Sequence, residues 1–175
     1  VVERAGEAPN CIGIAFTYNE PSIWYEFVHE TSILAHKAGL KTVLVTNGYI
    51  SEEPLVELLP YTDAMNIDVK GFTPRYYEEV CGGKLEDIKR TVETAAGRCH
   101  VEVTTLVVPG LNDAVEEIGE LARWLSSIRK DIPLHLSRFF PRYRMNDKPP
   151  TPKETLLAAK AEAEKYLTYV YLGNV

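Results

Sequence analysis

The chain is poor in cysteine: Cys11, Cys81 and Cys99 are the only three, and none lies within a few residues of another. An odd, scattered set argues against a disulfide framework, excludes a self-contained Cys-rich cluster within these residues, and suits a reducing cytoplasm. No apolar run approaches the roughly 18–20 residues that a membrane helix needs, so no membrane partner is expected. Nor is there a basic stripe: charged residues make up 25% of the chain with a net charge of -6, so nucleic acid is not an expected partner. The opening VVERAGEAPN has no methionine and lacks the basic start and apolar core of a signal peptide. It reads as the tail of a helix, and the chain is expected to be the C-terminal part of a longer protein. No GxGxxG follows the first strand-like segment, which argues against a dinucleotide-binding sheet.

What is present is a regular alternation. The 175 residues are 45% hydrophobic, enough for one sizeable core, so a single domain over residues 1–175 is expected. CIGIAFTY (11–18) reads as a strand, with Pro21 in the first turn of a helix that carries Ile23, Phe27, Ile33 and Leu34 at helical spacing and stops at Gly39. KTVLVTNG (41–48), DAMNIDVKG (63–71), HVEVTTLVVPG (100–110), IPLHLSRFF (132–140) and TYVYLGN (168–174) repeat the strand pattern. The intervening helices are marked by Ser51 as an N-cap, by Pro74 with a break at Gly82-Gly83, by Asp113 as a cap, and by a last helical run from Lys153 to Leu167. Trp24 and Trp124 are expected to pack. PRYRMNDKPPTP is a long polar loop of the kind more often functional than idle. The alternation predicts an α/β fold: a partial (β/α) TIM-like barrel of about six parallel strands with outer helices, its first βα unit missing.

In such folds chemistry gathers at the C-terminal ends of the strands. Here those ends carry Thr17-Tyr18-Asn19-Glu20, Thr46-Asn47-Gly48, Asn66, Asp68 and Lys70, Thr104-Thr105, His135-Ser137-Arg138, and Asn174. Alternation along a strand sends Asn66, Asp68 and Lys70 to one side, and His135 and Ser137 likewise. Each has a plain structural reading. Glu20 suits the positive end of a helix dipole, Asp68 and Lys70 suit an ion pair, Asn47-Gly48 a turn, and His135 a satisfied core histidine. His29 and His36 put no metal pair on one helix face. The repetition of polar strand ends is the stronger signal.

Taken in order, YNEP (18–21), TNG (46–48), DVKG (68–71), TTLVVPGLND (104–113), HLSRFFPRYRM (135–145) and YVYLGN (169–174) resemble the radical S-adenosylmethionine (SAM) enzymes. Within them, the set most resembles the activating-enzyme-like group of the AmmeMemoRadiSam system, relatives of the pyruvate formate-lyase activating enzyme. The resemblance implies SAM as cofactor. YNEP stands where the family usually has GGEP, whose backbone receives the SAM amino group, so Asn19, Glu20 and Pro21 carry over. Thr46 and Asn47 match the next strand exit facing SAM. Asp68 and Lys70 match a DxK pattern near the SAM carboxylate and ribose that helps hold a monovalent cation. His135, Ser137 and Arg138 match the region near the adenosine. The family's CxxxCxxC motif, which holds a [4Fe–4S] cluster, is absent. The resemblance therefore implies that the parent protein, not this chain alone, cleaves SAM reductively, generating a 5′-deoxyadenosyl radical for hydrogen abstraction from a substrate such as a glycyl residue of a partner protein.

Two other readings fit the residues: a Schiff-base or aldolase-type barrel with Lys70 as nucleophile, and a non-enzymatic degenerate barrel that binds or scaffolds. The absence of a first strand also predicts an exposed sheet edge at the YNEP strand and edge-to-edge dimerisation.

Overall fold

The computed structural model describes all residues, Val1–Val175. Six strands form one sheet in the order β1-β2-β3-β4-β5-β6: β1 (Gly13–Phe16), β2 (Lys41–Thr46), β3 (Ala64–Asp68), β4 (His100–Val107), β5 (Leu134–Arg138) and β6 (Val170–Gly173). The pairs β1–β2, β2–β3, β4–β5 and β5–β6 are all parallel, with Phe16 opposite Leu44, Thr46 opposite Ile67, Thr104 opposite His135 and Ser137 opposite Gly173. Strand order follows chain order without reversal. That is the winding of a β/α barrel rather than of a doubly wound sheet, in which the order reverses at a switch point. Strand β1 stands at one edge of the sheet and β6 at the other.

The chain forms two compact units, Val1–Asp68 with Asp87–Val101, and Val69–Glu86 with Glu102–Val175. In the first, alternation along the strands buries Phe16, Leu44, Met65 and Ile67 on one face, while Val43, Val45, Asn66 and Asp68 are half-exposed or exposed on the other. The helices of this unit are α1 (Val2–Glu7), α2 (Tyr25–Lys37), α3 (Glu52–Leu58) and, for its larger part, α5 (Leu85–Ala96). Helix α2 begins as a 3-10 turn, Pro21–Trp24, with Pro21 at its first position as expected. Its buried side differs from the expected one: Val28, Thr31, Ser32 and Ala35 are buried, whereas Ile23, Trp24, Phe27 and Leu34 are exposed. The larger apolar residues of α2 therefore lie outside the core. The small ones let the helix backbone approach the sheet closely.

Below the strands, Asp63 ties this unit together. Its carboxylate accepts hydrogen bonds from Lys41 Nζ at 2.7 Å, from the Thr42 N–H at 2.9 Å, and pairs with His36 Nε2 at 2.9 Å. Burial alone would raise this carboxyl, but the bonds from Lys41, Thr42 and His36 together hold it below the ordinary aspartate value of 3.8. A depressed folded-state pKa contributes stability above the unfolded value and loses it as pH falls through the folded one. Chemical denaturation between pH 7 and pH 3 is thus expected to show stability falling on the acid side, with a shallower fall in Asp63→Asn.

In the second unit, α6 (Val115–Ile128) buries Ile118, Leu121, Ala122 and Leu125, and α7 (Lys153–Ala163) buries Leu156, Ala159 and Ala163. They cover Val103, Val107, Leu134, Leu136 and Val170 of the strands. Asp113 does not cap α6. The N-cap is Ala114, without a side-chain bond, and Asp113 Oδ1 accepts instead from the Gly110 N–H at 2.8 Å. The PGLND segment is a turn closed on itself, and the carboxylate is used one turn before the helix. After α4 (Pro74–Tyr76) comes a π-helical turn, Tyr77–Cys81, ended by Gly82 in the left-handed region at φ 70°. Such turns are frequent at functional sites.

Candidate active site at the strand ends

In the first unit, β1 exits through two consecutive left-handed residues, Tyr18 at φ 54° and Asn19 at φ 55°. An L side chain there brings Cβ close to the following carbonyl, at roughly 1–2 kcal/mol per residue. This accounts physically for the glycine pair that related motifs carry at these positions: the geometry asks for glycine and the sequence supplies Tyr-Asn. Tyr18 is 92% exposed, so its side chain packs on little. Tyr18→Val is therefore expected to lower stability, because a β-branched residue is disfavoured at positive φ beyond the cost that tyrosine already bears, and Tyr18→Gly to change it by less than about 1 kcal/mol. Urea denaturation of both variants checks this.

Glu20 closes the turn. Its Oε1 accepts from Thr46 Oγ1 at 2.5 Å and from the Ser22 N–H at 3.2 Å, and its Oε2 accepts from the Asn47 N–H at 2.7 Å. The carboxylate thus joins the exit of β1 to the exit of β2 and caps the turn that opens α2. Thr46 relays the constraint, its Oγ1 accepting from the Gly48 N–H at 3.0 Å, and Asn47 Oδ1 accepts from the Tyr49 N–H at 2.7 Å. Gly48 sits at φ 72° with the space for a Cβ filled, 2.8 Å from Ile67 Cγ2. Pro21 is buried. Glu20, Thr46 and Asn47 are therefore joined by hydrogen bonds at this exit, with Asn19 and Pro21 flanking Glu20 in the chain. The protein places no hydrogen bond on the carbonyls of Tyr18 and Asn19. Asp68 ends β3 half-exposed, on the same side of that strand as Asn66.

In the second unit, the backbone around Lys70 is braced from three directions. The Lys70 N–H donates to Tyr77 Oη at 3.1 Å, the Lys70 carbonyl accepts from Asn112 Nδ2 at 2.6 Å, and the Phe72 N–H donates to Glu117 Oε1 at 2.6 Å. Burial is the largest influence on Glu117 and keeps its carboxyl above the ordinary value, against the Phe72 bond. Asn112 also donates to the Leu106 carbonyl at 2.9 Å and accepts from the Val108 N–H at 2.6 Å. Thr105 Oγ1 donates to the Val69 carbonyl at 2.8 Å.

His135 and Ser137 share one face of β5. His135 is the second residue of that strand, so it lies toward the strand's start and not at the C-terminal end where the sequence reading put it. Its Nε2 lies 2.6 Å from Glu102 Oε2, and its ring stacks on Tyr171 with centroids 5.3 Å apart. Arg138 ends the strand, its Nε donating to the Thr151 carbonyl at 2.7 Å and its guanidinium 4.8 Å above the Phe140 ring. Thr151 is fully buried and knits this end. Its Oγ1 donates to the Val107 carbonyl at 2.6 Å and accepts from the Phe139 N–H at 3.0 Å. Sequence reasoning gave no role to Asn112, none to Thr105 beyond its place among the polar strand ends, and none to Thr151, Tyr77, Glu117 or Glu102. The signal for the first two was the repeated polar punctuation of TTLVVPGLND, whose hydroxyl and amide would be out of place on a merely apolar strand end.

The chemistry of the first exit suits a cationic group, and the chain's side chains do not fit an iron–sulfur cluster. In the first unit, the carbonyls of Tyr18 and Asn19 are acceptors of the kind a ligand ammonium needs. For a cluster, no group of three His, Cys, Asp or Glu side chains is placed to hold a metal. Cys11 Sγ donates to the Gly13 carbonyl at 3.3 Å, and Cys81 is exposed.

Comparison with known proteins agrees with this architecture. The family profile described as Radical SAM superfamily matches residues 1–125. An uncharacterized protein of Methanocaldococcus jannaschii, MJ0808, is 44% identical over 169 residues, covering 95% of this chain and 50% of that protein. Pyruvate formate-lyase 1-activating enzyme of Escherichia coli is 27% identical over 171 residues, covering 88% of this chain and 68% of the enzyme. A crystal structure of a domain of pyruvate-formate lyase-activating enzyme from Bacteroides vulgatus superposes with TM-score 0.79 at 17% identity, covering 93% of this chain and 99% of that one. The chain thus spans half the length of its M. jannaschii relative.

Proposed function

Because the chain belongs to the radical SAM superfamily, we propose that it is the SAM-binding part of an activating-enzyme-like oxidoreductase. The observation that carries this reading is the Glu20 clamp. It holds a strained double left-handed exit with two unused carbonyls, as a receptor for the SAM ammonium requires. Glu20 acts here as a positioning residue. Both its oxygens are taken by protein donors, and its work is to fix the backbone of Tyr18, Asn19 and Asn47. Thr46 and Pro21 support the same exit. Asp68 carries over from the resemblance as the acidic partner of a monovalent cation, Lys70 as the group for the SAM carboxylate, and His135, Ser137 and Arg138 as neighbours of the adenosine.

SAM beside a reduced [4Fe–4S] cluster supplies a radical that abstracts hydrogen. In the whole protein the cluster ligands lie outside these residues, and the substrate is a protein segment, as for activating enzymes. Calorimetric titration of SAM into this chain tests the binding step. Saturable binding by the folded chain is the expected outcome, and a folded chain that takes up no SAM would sink the proposal.

A further inference from the structure

We propose that the ends of β4, β5 and β6 form an oxyanion subsite, which takes a carboxylate or phosphate group of the substrate. The second unit holds an open cleft of about 550 Å3 lined by Leu106, Arg138, Phe139, Phe140, Arg142 and Asn174. The lining comes from strand ends and the loop after β5, where parallel β/α folds put their ligands. Two guanidinium groups line it and no carboxylate does.

Arg138 is held in advance of any ligand. Its Nε is fixed on the Thr151 carbonyl and its plane lies over Phe140, so the other N–H groups of the fork are left for a partner. A planar guanidinium held this way matches the two oxygens of a carboxylate or phosphate. Phe140 and Leu106 are 43% and 38% exposed and give the cleft an apolar wall, which suits an anionic group on an organic body rather than a bare ion.

The loop that the sequence marked for its length supplies Arg142 to the cleft. PRYRMNDKPP carries Arg142, Arg144 and Lys148 against a single carboxylate, Asp147, in a chain whose net charge is -6. Arg138 and Arg142 line the cleft itself, and the positive excess of the loop that carries Arg142 favours anions there.

The assignment of this anion to a substrate rests on the radical SAM reading. The test reads anion binding alone, so the two fail separately. Inorganic phosphate and acetate are titrated separately into this chain, followed by the arginine side-chain N–H signals. Saturable shifts at Arg138 and Arg142 with either or both anions are expected. Arg142→Gln should weaken that response about tenfold, and Arg129→Gln should leave it unchanged. Arg142 is exposed, so its variant keeps the fold, which the backbone amide spectrum verifies. A response to phosphate alone assigns a phosphate group, and to acetate alone a carboxylate. No saturable shift with either anion, or equal affinity in Arg142→Gln, overturns the subsite. A chain that binds SAM and neither anion loses only the subsite; one that binds phosphate and no SAM loses only the SAM reading.

Discussion

Asn112→Ala should destabilise the chain by about 3–5 kcal/mol, the largest effect expected of any polar substitution here. Asn112 is 1% exposed, and its carboxamide satisfies the Val108 N–H and the Lys70 and Leu106 carbonyls. Truncation removes all three bonds: the buried Val108 N–H left without a partner costs roughly 1–3 kcal/mol, and the two part-buried carbonyl bonds add roughly 0.5–1.5 kcal/mol each. Asn112→Asp should do no better. It keeps the shape but aims a carboxylate oxygen at two carbonyls where an amide donated. Urea denaturation of the two variants checks the order. If both lie within about 1 kcal/mol of the parent chain, the bracing of the Lys70 segment is not what the geometry indicates.

Glu20→Ala should lower stability by about 2–4 kcal/mol, since three bonds to one carboxylate are lost, two of them 2.7 Å or shorter. It should also weaken SAM binding at least tenfold, because the exit that presents the Tyr18 and Asn19 carbonyls is no longer held to β2. Glu20→Gln separates the two effects. Its amide keeps one acceptor oxygen for the Asn47 N–H or for Thr46, but not for both, so intermediate losses of stability and affinity are expected. Affinity unchanged in Glu20→Ala, with the chain folded, would show that this exit is not part of the SAM site.

The fold was legible because the sequence repeats one unit. Each apolar run ends in a polar cluster, and a proline or a small polar residue stands at the start of α2, α3, α4 and α7. The exits were legible for the same reason: a buried strand does not end in Tyr-Asn-Glu or Asn-Ile-Asp without a use for those groups. The direction of α2 was not legible. Its apolar spacing points to Ile23, Phe27 and Leu34, while the sheet accepts the smaller Val28, Thr31, Ser32 and Ala35, because close approach, not side-chain size, decides which face is buried. The role of Glu20 was also hidden. As a residue before a helix it reads as a dipole partner, and only the return of β2 beside β1 shows both its oxygens engaged across 26 and 27 residues of chain. Asn112 and Thr151 were silent for a related reason: a buried amide or hydroxyl that serves distant carbonyls has no local pattern.

The central claim is that these residues hold SAM for a cleavage whose metal centre they do not ligate. Anaerobic iron and sulfide reconstitution, reduction and addition of SAM, with 5′-deoxyadenosine and methionine followed by chromatography, tests it most directly. The whole protein should release both products. The 175-residue chain, treated identically, should bind SAM and release neither. Release of 5′-deoxyadenosine by the chain alone, at the rate of the whole protein, would contradict the account.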